Sequence, residues 1–221
     1  MRTTLRKRID ARPLQLMALA VRQVVFDSIL HGASGAGDER SLTVPRSAEP
    51  IAPAVLAASQ PEPRRADLCA LYETCLLHYR RVTGLAREQQ AQGASKEPPD
   101  DDVREAVAHF VAANMQALRD ITITPSMLQR LHAQLAGVAH LSSGWDRASL
   151  VERQLYFEKM AIIAVLVDQT WSRAKAQGPQ AVAQVRRGAR GYLRELCGFE
   201  PDRLTLSEDG LGLSHAATAS A

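Results

Sequence analysis

Met160-Ala-Ile-Ile-Ala-Val-Leu-Val167 lies inside a helical pattern that runs from about Ser149 to Gln177. At 100° per residue, Tyr156, Met160, Ile163, Ala164, Val167, Trp171 and Ala174 fall on one face. Leu155, Ile162 and Leu166 widen that face to roughly two-thirds of the circumference. Glu158, Asp168, Gln169 and Ser172 fill the remaining wedge. The two acids are the only ones that a bundle could partly bury, and the wet edge of the helix is the favoured place for both. So apolar a helix needs other helices packed round it. The run is shorter than the roughly 20 apolar residues that span a bilayer, and Lys159 and Asp168 interrupt it. The reading is all-α: a bundle of about five helices around this central rod at about 149–177, with a tethered N-terminal helix.

The neighbours read as amphipathic. A helix over about Ala66 to Gln90 carries Leu68, Leu71, Tyr72, Cys75, Tyr79 and Val82 at helical spacing. Asp100-Asp-Asp-Val-Arg-Glu105 opens the next, with Asp102 as cap and Glu105 reaching back. Val103, Val107, Phe110, Val111, Asn114 and Leu118 form its buried face, where the Asn114 amide needs a neighbouring backbone partner. Thr124-Pro125 starts a fourth helix, with Met127, Leu128, Leu131, Leu135 and Val138 inward. Gly178-Pro179 ends the rod and begins a last helix striped by Val182, Val185, Ala189, Tyr192, Leu193 and Leu196. Gly198 is its natural C-terminal cap, and Phe199 to Leu206 adds a turn and a short extended segment.

Outside the bundle the pattern changes. Residues 1–30 combine a basic start (Arg2, Arg6, Lys7, Arg8, Arg12) with an amphipathic helix from about Pro13. Leu14, Met17, Val21, Val24, Val25 and Ser28 share its apolar face. The same stretch resembles a weak secretory signal, but its apolar run is short and Gln15 breaks it. A cytoplasmic location is therefore the expectation, with export as the alternative. Residues 31–65 hold Pro45, Pro50, Pro53, Pro61 and Pro63 without apolar periodicity and read as a linker. The bundle domain is expected over 66–213 and a disordered tail over 214–221.

The chain has 221 residues, 46% of them hydrophobic and only 5% aromatic, so the core rests on Ala, Leu and Val. A net charge of +3 is no polyanion-binding signature by itself. Only four of the 27 basic residues are lysine. Cys69, Cys75 and Cys197 have no framework spacing, and Cys69 and Cys75 sit too far apart on one helix to bridge. They read as small buried hydrophobes.

Asp101 to Asn114, Gln154-Leu-Tyr-Phe-Glu-Lys-Met-Ala-Ile-Ile163 and Gly198-Phe-Glu-Pro-Asp-Arg-Leu-Thr-Leu206 together resemble a helical family of bacterial proteins catalogued only as a domain of unknown function. The likeness covers about residues 68–213. It implies the bundle fold, brings no catalytic residues, and implies that many relatives are exported.

Few groups point to chemistry. Gly32-Ala-Ser-Gly-Ala-Gly37 lacks the following helix that a phosphate loop or serine elbow requires. Glu105 and His109 are one helical turn apart and read as a solvated pair. Cys75 with His78 supplies two potential zinc ligands where three or four are needed. No catalytic residue, metal or cofactor is expected. The best remaining feature is the basic side of the last helix, Arg186, Arg187, Arg190 and Arg194, a candidate anion-binding face. Those arginines equally suit solvation and pairing with neighbouring acids. The leading expectation is a non-enzymatic protein–protein interaction module with an unidentified protein partner. The alternatives are nucleic-acid or anionic-membrane binding through the arginine face, and a hydrolase whose cleft is assembled from distant residues.

Overall fold

The computed structural model describes Arg22 and residues 42–46, 49–90, 100–138 and 148–214. Among the described residues six α-helices form the body: α1 (Ala52–Ala57), α2 (Glu62–Gln90), α3 (Val103–Arg119), α4 (Pro125–Val138), α5 (Leu150–Gln177) and α6 (Pro179–Cys197). The central helix begins and ends where its caps dictate. Ser149 Oγ accepts from the Glu152 backbone N–H while the Glu152 carboxylate accepts from Ser149 N at 2.6 Å, a reciprocal capping box. Gly178 and Pro179 then turn the chain into α6.

All seven residues assigned to the main face of α5 are buried, and so are Leu155, Ile162 and Phe157. The rod does not stand alone at the centre. α3 is buried on most of its circumference, because Ala106, Ala108, Ala112, Ala113 and Ala117 let α5, α6 and α4 close round it. Its Asn114 amide donates to Phe110 O at 2.7 Å within its own helix. Asp102 caps α3 as expected, accepting from Arg104 N and Glu105 N. Thr124 Oγ1 likewise accepts from Met127 N at 3.1 Å at the start of α4.

Two expectations need correction. The first concerns 31–65: within that span, Thr43–Val44 (β1) pairs antiparallel with Asp101–Asp102 (β2), and α1 packs on α2 and α5 with Ala52 and Ala57 fully buried. α2 itself starts at Glu62. Proline-rich sequence has here been built into the wall of the bundle, with Pro53 in the first turn of α1, where no helical donor is lost. The second concerns the buried face of α2, which is Cys75, Leu76, Tyr79 and Thr83, while Leu71 and Val82 are 42% and 46% exposed. A shift of one position along the wheel moves the stripe. The N-terminal helix expected over 13–30 and the glycine segment 32–37 lie outside the described residues, Arg22 excepted.

After α6, Gly198 takes the left-handed conformation (φ 78°) that was expected of its cap. A single turn at Pro201–Arg203 leads to a hairpin, β3 (Leu204–Ser207) with β4 (Gly210–Leu213). Gln134 of α4, itself buried, holds this hairpin: its carboxamide accepts from Leu211 N at 2.7 Å and donates to Leu211 O at 3.2 Å. A side chain at Gly210 would collide with that carboxamide, and its φ of 107° disfavours any other residue. Arg119, at the end of α3, donates to Pro201 O, Asp202 O and Leu204 O and ties the turn to the bundle.

Candidate functional surfaces

The most polar place in the interior is the seat of Glu158, which is 0% exposed. This corrects the expectation that both acids flanking the apolar run lie at a wet edge; Asp168 is exposed, Glu158 is not. The physical reason is α1, which lies over that wedge of α5. Glu158 Oε2 accepts from Ile51 N at 2.7 Å and Ala52 N at 2.8 Å. Ile51 has no capping side chain of its own, so the carboxylate supplies the acceptor that the first N–H groups of α1 lack. Oε1 accepts from Gln154 Nε2 at 2.8 Å and faces Arg80 Nη2 at 3.8 Å. Arg80 in turn donates to Asp101 Oδ2 at 2.6 Å, and Arg46 Nε reaches Asp101 Oδ1 at 3.4 Å. Four charges thus alternate in sign between α5, α2 and the β1–β2 pair. Every partner of Glu158 belongs to the fold itself, which suits the cluster to anchoring α1 and β1.

Asp102 continues this line of charge on its other side. Burial alone would raise its pKa. The His132 imidazole 3.9 Å away and the Arg104 guanidinium at 2.9 Å outweigh burial and hold the carboxyl well below the usual range. A depressed folded-state pKa means stability that is present above the unfolded value of about 3.9 and lost as pH falls below it. Asn keeps the capping oxygen but not the charge, so Asp102→Asn is expected to lose about 1 kcal/mol or more at pH 7. The difference from wild type should shrink below about pH 4 in urea titrations repeated at falling pH. A gap between the two proteins as wide at acid pH as at neutrality would refute this assignment.

A hollow of about 190 Å3 opens between α2, α3 and α5, with His78, His109 and Asp168 in its lining. His78 Nδ1 is engaged by Arg81 Nη2 at 3.3 Å, and Asp168 Oδ1 accepts from Gln116 Nε2 at 3.1 Å. The His109 ring meets Tyr79 edge-on at 5.4 Å. The expected solvated pair of Glu105 and His109 is therefore half-buried instead, His109 being drawn in by the Tyr79 ring. Cys75 and Cys197 are buried and Cys69 half-buried, and burial raises the pKa of each thiol. Among the described residues no three His, Cys, Asp or Glu side chains are grouped so as to hold a metal ion.

The arginine face of α6 is charged on both sides. Arg186 faces Asp120 at 3.6 Å and the Trp171 ring at 5.7 Å. Arg190 pairs with Asp202 at 2.6 Å and Arg194 with Glu200 at 3.2 Å, while Arg187 is exposed. Beside this face runs a groove of about 580 Å3 between α5 and α6, lined by Leu166, Thr170 and Ala174 on one wall and Ala181, Val185 and Gly188 on the other. No described helix is long and apolar enough to cross a membrane.

Val185, Ala189 and Tyr192 of this groove belong to the apolar stripe expected of the last helix, whereas Ala181 and Gly188 lie outside it. The exposed Gly188 in mid-helix was the available signal that one side of α6 faces open space. A family model, described as a family of unknown function, matches residues 64–214. No curated protein matches, and no solved structure matches.

Proposed function

The chain belongs to DUF6683, that family of unknown function, and we propose that its bundle is a non-enzymatic protein–protein interaction module whose α5–α6 groove receives a helix of a partner. The observation that carries this reading is the shape and lining of the groove. Leu166, Val167, Ala174, Ala181, Val185 and Ala189 give it an aliphatic floor, Arg173, Gln177 and Gln184 also line it, and Gly188 stands in mid-helix where an added Cβ would meet nothing within 4 Å. Glycine there costs about 1 kcal/mol of helix stability relative to alanine, and the open surface it leaves admits close approach of a second helix. The alternative, nucleic acid or an anionic membrane on Arg186, Arg187, Arg190 and Arg194, has weaker support, because three of the four already face a carboxylate or an aromatic ring.

Gly188→Trp tests the reading. The indole projects into open groove, so the fold should tolerate it while the groove is filled. With the full chain as bait, a specific partner should be recovered by wild type and lost with the variant. Recovery by both proteins alike, or by neither, would count against the groove.

A further inference from the structure

Among the described residues no Asp or Glu lines the α5–α6 groove, although the rest of the α6 surface is rich in ion pairs. Thr170 adds no open polar group to it, because its hydroxyl donates to Leu166 O within α5. Arg173 lines the groove from α5 and is exposed. Burial raises the Cys75 thiol pKa and the Arg173 charge pulls it partly back, which sets Arg173 on the side of α5 that faces α2. Arg187 flanks the other wall. It is exposed, adjoins Gly188 in the chain, and stands about 60° round α6 from the lining residue Gln184. Among the described residues neither guanidinium has a carboxylate within ion-pair reach, whereas Arg186, Arg190 and Arg194 each have one. Glu195, about one turn beyond Tyr192, is taken up by Lys159 at 3.4 Å.

A largely apolar channel with an uncompensated cation on each flank has a field of one sign. The ligand that complements it carries an apolar face with opposite charge on both sides. From Leu166 to Gln177 the channel follows α5 for about 17 Å, or three helical turns. We propose that the partner helix is acidic and amphipathic, about three turns long, with an aliphatic stripe against Ala174 and Gly188 and with Glu or Asp on both flanks facing Arg173 and Arg187. That identity rests on the groove reading proposed above. Exposed ion pairs contribute little each and are screened by salt. The apolar stripe therefore supplies the affinity, and the two arginines supply the discrimination between partners.

Three fluorescein-labelled peptides of about 14 residues test this by fluorescence anisotropy against the full chain. One is an amphipathic helix with Glu flanks, the second has Lys in place of each Glu, and the third is the Glu peptide scrambled. The Glu-flanked helix is expected to bind at least about fivefold more tightly than the Lys-flanked one at low salt. The ratio should fall towards one at about 0.5 M salt. Arg173→Glu combined with Arg187→Glu should leave the circular dichroism unchanged and invert the preference, while Gly188→Trp should weaken both helices alike. Equal affinity for the two helices, lost in Gly188→Trp, would overturn the charge assignment and leave the groove standing. Binding of neither, or binding that Gly188→Trp does not weaken, would remove the groove reading and the assignment with it. A scrambled peptide that binds as tightly as the Glu-flanked helix would mean a general attraction for polyanions, nucleic acid included, and also overturns the proposal.

Discussion

Glu158→Ala is expected to destabilise the protein by about 3–5 kcal/mol, the cost of breaking a buried ionic cluster by removing one partner. The loss has three parts. Ile51 N and Ala52 N lose their acceptor at the start of α1, Gln154 loses its carboxylate, and Arg80 keeps only Asp101 against its charge. An unpaired buried donor pays its full desolvation cost. Glu158→Gln retains an oxygen for the two α1 N–H groups and occupies the same volume, so it should cost substantially less, about 1–2 kcal/mol. Urea titrations at pH 7 give both numbers. The denaturant slope should stay constant if only the native cluster is affected. A Glu158→Ala cost under about 1 kcal/mol would mean that α1 is held by its apolar contacts alone.

The central helix was legible because periodicity is a one-dimensional signal. Tyr156, Met160, Ile163, Val167 and Trp171 repeat at helical spacing, and any packing of that rod buries them. Capping chemistry was legible for the same reason: Asp102 and Thr124 act on backbone groups two or three residues away. Glu158 was not legible. It sits in the polar wedge of α5, and whether that wedge meets water or α1 depends on a segment about 106 residues earlier. Proline-rich sequence without periodicity looked like linker, yet six residues of helix suffice when a carboxylate from another helix caps them.

The stripe on α2 was right at Cys75 and Tyr79 and wrong at Leu71 and Val82 for a different reason. Its mixture of Leu68, Leu71, Tyr72, Cys75, Leu76 and Tyr79 offers two overlapping apolar faces, and α5 with α3 selects the one containing Leu76. The hairpin carried an unused signal, Asp209-Gly210 between Leu204/Leu206 and Leu211/Leu213; the turn falls on Glu208 and Asp209, and Gly210 takes positive φ where β4 begins. Of the candidate arginines, sequence gave the shared face of α6. It did not give Asp120, Asp202 and Glu200, which arrive from the end of α3 and from the turn after α6. Side-chain partners from other elements decide whether a basic face is free to bind, and helical periodicity carries no information about them.

Trp171→Ala is expected to cost about 3–5 kcal/mol as well, by a mechanism that owes little to hydrogen bonding. The side chain is 2% exposed and among the largest that the core encloses, so truncation leaves a cavity between α5 and its neighbours that a bundle of long helices closes only in part. Its indole N–H is buried without a hydrogen-bond partner, so replacement by Phe gives up no bond. What Phe loses is volume and the better cation platform. Lys175 Nζ stands 5.0 Å and Arg186 Cζ 5.7 Å from the ring centre, and both cations also face the Asp120 carboxylate, at 2.9 Å and 3.6 Å. Trp171→Phe should therefore cost clearly less than Trp171→Ala, keeping most of the apolar burial and part of the cation–π attraction. Circular dichroism during urea titration measures both without relying on the fluorophore removed. If Phe proved as damaging as Ala, the pairing of Trp171 with Lys175 and Arg186 would outweigh packing. In that case Arg186 would be held by the ring far more firmly than by Asp120, and so would be the least available of the four arginines to any anionic partner.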